Sequence, residues 1–105
     1  MKNCLIALLL VLIGRSASAI DFVNIPDASQ LKWQLASDGN VYLRNLNFFD
    51  PTFLACCYNY ALDIKTANGK AIWSTILLKI ATAKPISIGV NDKTIPSAVT
   101  YSGDH

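Results

Sequence analysis

The stretch on which the predicted fold depends runs from residue 55 to residue 90 and reads ACCYNYALDIKTANGKAIWSTILLKIATAKPISIGV. It opens with residues typical of a β-strand and passes through turn-forming residues at 66–69. It continues as an amphipathic segment at 70–84, which Pro85 ends, and residues 86–90 alternate again as a strand. The stretch therefore predicts a strand, a turn, one helix and a second strand.

The predicted helix at 70–84 has one apolar side and a second side that is almost uncharged. Ile72, Trp73, Ile76, Leu77, Ile80 and Ala81 cover the apolar side when successive residues are placed 100° apart. The other side has Lys79 as its only charge, near the apolar edge. A helix side that faces water normally carries several charges, although a modestly polar exposed side is the alternative. We predict an oligomer interface formed by Ser74, Thr75, Leu78 and Thr82.

The predicted strand before the helix contains two adjacent cysteines, Cys56 and Cys57. Three states are open to them: a vicinal disulfide, two buried thiols, or pairing between chains. Neighbouring side chains in an extended strand point to opposite faces, which disfavours a bond between them. The sequence therefore leaves their redox state open.

The rest of the chain is assigned from alternation and turn signals. Residues 21–24 are predicted as an edge strand, and residues 31–36 as a half-buried strand with Leu31, Trp33 and Leu35 on one face. The Asp38-Gly39 pair predicts a hairpin turn. Residues 41–46, 54–65 and 97–102 are predicted as further strands, and residues 47–51 as a loop.

The first residues have the pattern of a secretory signal peptide. Lys2 is followed by an apolar run at residues 4–13 and by a small-residue cleavage site at Ala17-Ser18-Ala19. The run is shorter than the roughly 20 apolar residues that a membrane span needs. We predict a signal peptide at 1–19, a single domain at 20–105 without a membrane span, and a secreted or periplasmic location.

Charge and residue types exclude several classes of function. Without Lys2 and Arg15 the nine Lys and Arg residues fall to seven, which balance seven Asp, and the chain has no Glu. A chain with this balance of charges lacks the excess of basic residues that is typical of a nucleic-acid-binding protein. The single histidine, His105, ends the chain, and adjacent cysteines do not have the spacing of zinc ligands. We predict no enzyme activity, no metal and no cofactor.

The order of the elements is that of a small OB barrel. Three strands, a helix and two strands predict a mostly β fold: a five-stranded antiparallel barrel with the helix between strands 3 and 4. Trp73, Ile76 and Ile80 would insert among Val41, Leu43, Tyr58, Tyr60 and Ile88.

Residues 73–90, WSTILLKIATAKPISIGV, combine a helix, a short break and an alternating strand. In this the chain resembles the B subunits of bacterial A–B toxins of the cholera, Shiga and subtilase types, and other small secreted bacterial proteins. The resemblance implies an OB fold, a homopentamer whose helices line a central pore, and glycan binding on the outer surface. Those subunits usually carry one disulfide between separate elements, whereas this chain has only the adjacent pair.

Candidate ligand contacts come from local chemistry, since sugars bind amides and carboxylates beside an aromatic face. The candidates on outer faces and in loops are Tyr42, Arg44, Asn47, Phe48, Phe49, Asn59, Asp63 and Asn91. The expected function is a secreted binding module for a glycan or a protein. The alternative is a small periplasmic structural or inhibitory protein with a redox-active or assembly-related cysteine pair.

Overall fold

A computed structural model describes residues 20–104 of the chain. The predicted signal peptide at 1–19 and the terminal His105 lie outside the described residues. Within the described range, a 3-10 turn at Ala28–Gln30 joins the first two strands. The elements are β1 (Asp21–Ile25), β2 (Trp33–Leu35), β3 (Asn40–Leu43), α1 (Leu46–Phe49), β4 (Tyr60–Asp63), α2 (Ala67–Thr82), β5 (Ile86–Val90) and β6 (Ser97–Gly103).

The strands form one mixed sheet in the order β1-β5-β6-β4-β3-β2. Neighbours are antiparallel except β4 and β6, which run parallel at Tyr60–Ser97 and Ala61–Ala98. β1 and β2 lie at opposite edges, so the sheet is not closed into a barrel.

A mostly β fold with one main helix is thus confirmed, but the five-stranded antiparallel barrel is not. β1 pairs along its whole length with β5 and adds a strand. β6 inserts between β5 and β4, which makes the sheet mixed. The main helix follows the fourth strand rather than the third.

The hydrophobic core lies between α2 and one face of the sheet. Trp73 and Ile76 are buried and Ile80 is partly buried, as the helix pattern predicts. Fully burying one such aliphatic side chain stabilises the fold by about 1.5–3 kcal/mol. The core is completed mainly by Val23, Ile25, Val41, Leu43, Leu46, Phe53, Tyr60, Leu62, Ile86, Ile88, Val90 and Val99.

Helix α2 begins three residues before the predicted start. Thr66 is its N-cap, and the Thr66 side-chain oxygen accepts a hydrogen bond from the Gly69 N–H at 2.9 Å. The predicted turn at 66–69 is therefore largely the first helical turn. At the other end the helix stops at Thr82, because Ala83 adopts a left-handed conformation with φ of 53°.

The predicted strand at 54–65 is regular only at its end, in β4. The Asn59 side-chain amide donates to the Ala55 carbonyl, and the Tyr60 hydroxyl accepts from the Leu54 N–H. These side chains satisfy backbone groups that a strand would pair with a neighbouring strand. Residues 54–59 consequently form an irregular segment in front of β4, and a cis peptide bond joins Cys56 to Cys57.

Two further predictions need correction near the other sheet edge. Residues 46–49 are helical in α1, because Asn45 ends the extended backbone by bonding Lys32 N–H and the Gln30 carbonyl. Leu31 is buried as predicted, but Trp33 is 41% and Leu35 55% exposed. β2 is an edge strand, so its inward-facing side chains are only partly covered.

The hairpin turn is confirmed: Gly39 has φ of 84°, and Ala36 N–H donates to the Asn40 carbonyl.

Within residues 20–104, no helix combines the length and apolar character needed to cross a membrane.

Candidate functional site

One row of side chains crosses the face of the sheet opposite the core. The strand register aligns Gln34 of β2, Tyr42 of β3, Ala61 of β4 and Ala98 of β6. Their neighbours along the strands, such as Val41 and Leu62, are buried in the core. Because strand side chains alternate, the aligned row points outward. It changes across the sheet from large polar side chains to two alanines, which leaves a depression.

Tyr58, from the irregular segment before β4, forms an aromatic wall over this row. Its ring meets the ring of Tyr42 edge-on, with centroids 5.3 Å apart, and its hydroxyl donates to Gln34 Oε1 at 3.2 Å. Edge-to-face aromatic pairs are a favourable geometry. Tyr58 nevertheless stays 58% exposed, so its position is held while its ring remains open to a ligand.

The depression deepens into a groove of about 650 Å³ beside β4 and β6. We call this the β4–β6 groove. Ala61 and Ala98 form its floor, and it reaches Leu62, Val99 and the first turns of α2. Tyr58 is the aromatic side chain that lines it. Its polar lining includes Asn40, Asn59, Asp63, Thr66, Asn68, Ser97 and Thr100.

Carboxylates around the groove are held in the ionised state. The Tyr42 hydroxyl, donating to Asp38 at 2.6 Å, lowers the pKa of that carboxyl, and the Asn40 N–H adds to the effect. The Lys65 N–H and ammonium lower the pKa of Asp63 in the same direction. Hydrogen bonds to the charged form favour it. Asp63 is ionised at neutral pH even at its ordinary pKa, and its contacts with Lys65 fix its position as an acceptor.

Arg44 lies beside the aromatic wall. Its guanidinium carbon is 5.8 Å from the Tyr58 ring centroid, and Nη2 is 3.8 Å from Cys56 Sγ. Among residues 20–104, Arg44 Nε is the one buried side-chain polar atom without a hydrogen-bond partner. An unpaired buried donor costs about 1–3 kcal/mol. Packing, rather than a full set of hydrogen bonds, therefore holds this guanidinium.

The sulfur atoms of Cys56 and Cys57 lie against each other, which is the arrangement of a vicinal disulfide. The objection from strand geometry does not apply, because residues 54–59 are irregular. Cys56 is exposed and Cys57 half-buried, so neither is a fully buried thiol. The pair directly precedes Tyr58 in the chain and thus borders the groove.

The predicted ligand contacts divide into two groups. Asn59 and Asp63 line the β4–β6 groove, and Tyr42 and Arg44 contact Tyr58 at its border. The structure places the other four elsewhere. Asn47, Phe48 and Phe49 lie on α1, and Asn91 lies exposed after β5.

The α1 residues include an exposed aromatic but belong to a different surface. Phe48 is 70% exposed and packs edge-on against Phe49, which in turn contacts the core. Phe48 lines a separate hollow of about 500 Å³ with residues 29–32 and Asn45. Both side-chain ends of Asn45 are already bonded to the backbone there, so this hollow offers a ligand fewer free polar groups.

Apart from Asn59 and Asp63, the residues that line the groove were not predicted as ligand contacts, Tyr58, Ala61 and Ala98 among them, and neither was Gln34, which holds Tyr58. The alternation of residues 31–36 places Gln34 on the outer face, so the outward position of Gln34 could be predicted from the sequence. Tyr58 was assigned to the core because residues 54–65 were read as one continuous strand. Ala61 and Ala98 become neighbours only through the parallel pairing of β4 and β6.

The predicted interface on α2 is only partly polar in practice. Ser74, Thr75 and Thr82 donate their hydroxyls to carbonyls one turn earlier, at 2.9, 3.2 and 2.7 Å. Leu78 is 62% and Leu77 39% exposed. Because the three hydroxyls are bonded within the helix and two leucines are exposed, this surface is less polar than its Ser and Thr residues indicate. The oligomer interface stays a prediction.

Over residues 20–104, no group of three or more His, Cys, Asp or Glu side chains is placed to hold a metal ion. Comparison of the chain with known proteins gives no matching family model, no matching curated protein and no matching solved structure. The geometry of the β4–β6 groove is therefore the feature of this chain that bears on its function.

Proposed function

We propose that this chain is a secreted, non-enzymatic binding module that takes a glycan in the β4–β6 groove. The observation that carries the proposal is the pairing of an exposed, fixed Tyr58 ring with a floor of two alanines. A sugar ring can lie on that floor with its apolar face against the tyrosine. Asn40, Asn59 and Asp63 then supply amide and carboxylate partners for its hydroxyl groups.

The toxin-like form of the proposal adds a homo-oligomer, with a pentamer as the implied state. Its support is the low charge of the outer side of α2, on which Leu77 and Leu78 are exposed. Several copies of a weak sugar site would raise the overall affinity for a surface that presents many glycans. Glycan binding in the groove and assembly into an oligomer are thus separable properties.

A glycan array probed with the exported, oxidised protein tests the proposal. We expect selective retention of a small set of glycans, and loss of that retention in Tyr58→Ala. Phe48→Ala is the matched control, because it removes an exposed aromatic outside the groove. Absence of any glycan signal, or equal binding by Tyr58→Ala, would rule the proposal out.

A further inference from the structure

We propose that Cys56 and Cys57 form a thiol–disulfide exchange site for a small thiol of the glutathione class, and that its redox state controls the Tyr58 wall. The evidence for the exchange site comes from the residues around the two cysteines alone. Its control of ligand binding rests on the proposed function, since Tyr58 lines the same groove.

Arg44 makes Cys56 the leaving sulfur of the exchange. Its Nη2 lies 3.8 Å from Cys56 Sγ, and Cys57 is only half-buried, so the Cys57 sulfur stays open to attack. A neighbouring cation stabilises a thiolate, and a charged acceptor binds a guanidinium more strongly than a neutral sulfur does. Arg44 also retains a buried Nε without a partner among residues 20–104. Reduction therefore gives Arg44 a better acceptor than the disulfide offers.

The exchange proceeds in two displacements. The thiolate of the small thiol attacks Cys57 Sγ; a mixed disulfide forms on Cys57, the Cys56–Cys57 bond breaks, and Cys56 leaves as a thiolate beside Arg44. A second small thiolate attacks the outer sulfur of the mixed disulfide, and Cys57 leaves as a thiolate that takes a proton from water. Two small thiols are oxidised to their disulfide, and the cysteine pair gains two electrons.

Tyr58 transmits this change to the groove because it follows Cys57 directly. The bond between the cysteines restricts the segment that carries the ring, together with the Asn59 side-chain bond to Ala55. Opening the disulfide removes that restriction, so Tyr58 must be ordered when a ligand binds. Ordering groups on binding lowers affinity. We expect the reduced protein to bind its glycan about three- to tenfold more weakly.

Peptide mass spectrometry after a timed incubation with reduced glutathione tests the exchange site. We expect the first glutathione adduct on Cys57, formed about tenfold more slowly in Arg44→Gln because the charge that stabilises the leaving Cys56 thiolate is gone. Arg44→Lys, which keeps the charge, should react at nearly the wild-type rate and covers the case in which Arg44→Gln folds poorly. Lys84→Gln removes a charge at the end of α2 and is the matched control. A first adduct on Cys56, or equal rates in all four proteins, would overturn the site.

Amide NMR spectra with and without a phosphine reductant test the coupling without any glycan. We expect shifts at Gln34, Tyr42 and Ala61, and none at Val23 on the far edge strand. Shifts confined to residues 54–59 would overturn the coupling. If glutathione exchanges and the groove amides shift but no glycan binds, the proposed function fails alone. If a glycan binds equally in both redox states, the control of binding fails alone.

Discussion

Ala98 and Tyr58 show how single side chains shape the β4–β6 groove. Ala98 is exposed on β6 and faces Ala61 across the parallel pairing, so the groove exists because both residues are small. Tyr58 forms the wall because Gln34 and Tyr42 hold it in place.

Ala98→Leu should fill the groove and weaken glycan binding at least about tenfold, since a branched side chain would occupy the floor on which the ligand lies. Ala98 is exposed, so the free energy of unfolding should change by less than about 0.5 kcal/mol. Titration calorimetry and thermal unfolding measure the two quantities. Ala71→Leu, at an exposed position of α2, is the control; unchanged affinity in Ala98→Leu would place the ligand elsewhere.

Tyr42→Phe should raise the pKa of Asp38 toward its ordinary value of 3.8, because the hydroxyl that donates to the carboxylate is lost. A lowered native pKa stabilises the fold above the unfolded value and loses that contribution as pH falls through the native one. The variant should therefore lose this stabilisation above about pH 4 and match the wild type in stronger acid. Carboxyl NMR titration measures the shift. Asp92, whose pKa is lowered by Thr94, is the control, and an unmoved Asp38 would contradict the prediction.

At the scale of elements, the start of α2 closes one end of the groove. Thr66 caps the helix, and Gly69 lies directly against the end of β4. A Cβ on Gly69 would stand 1.6 Å from the Asp63 carbonyl oxygen, which is backbone and cannot move aside like a flexible side chain. Gly69 is thus needed for close packing of the helix start on the strand.

Gly69→Ala should destabilise the fold by about 2–4 kcal/mol, because the helix start must shift away from β4 and the N-cap geometry shifts with it. Chemical denaturation followed by circular dichroism measures the loss. Asn68→Ala is the matched control at an exposed position of the same turn and should change stability by less than about 1 kcal/mol. Similar stability of the two variants would show that the close approach is unimportant.

At the scale of the whole molecule, the groove meets α2 only at the start of the helix, where Thr66, Asn68, Gly69 and Ile72 line it. The predicted interface lies further along the helix, from Ser74 to Thr82, so a ring of subunits joined through it would not use those groove residues. Leu78, 62% exposed at the centre of the predicted interface, is the side chain whose burial such a ring requires.

Leu78→Asp should convert the predicted homo-oligomer to monomers, since it places a charge in an apolar contact. Light scattering coupled to size exclusion gives the molar mass. Asn68→Asp adds the same charge at the first turn of α2, outside the predicted interface, and should stay oligomeric. A wild-type protein that is monomeric at the concentration of the assay would contradict the prediction.

The sequence alone determined the features that arise from local periodicity and local chemistry. Local patterns in the sequence predicted the existence of α2, the Asp38-Gly39 turn, the strand at 86–90 and the inward side chains Trp73 and Ile76. They depend on neighbours a few residues apart, where apolar spacing and turn residues act directly. Asn59 and Asp63, which line the groove, were among the predicted ligand contacts because both stand on the polar side of the apolar pattern.

Only the tertiary structure decided the features that depend on distant pairing. The parallel contact of β4 with β6 opened the sheet and made Ala61 and Ala98 neighbours, although no local pattern encodes which strands meet. Side-chain bonds from Asn59 and Tyr60 replaced strand pairing at 54–59 and turned Tyr58 outward. The groove is therefore a product of long-range register, and sequence periodicity alone could not predict it.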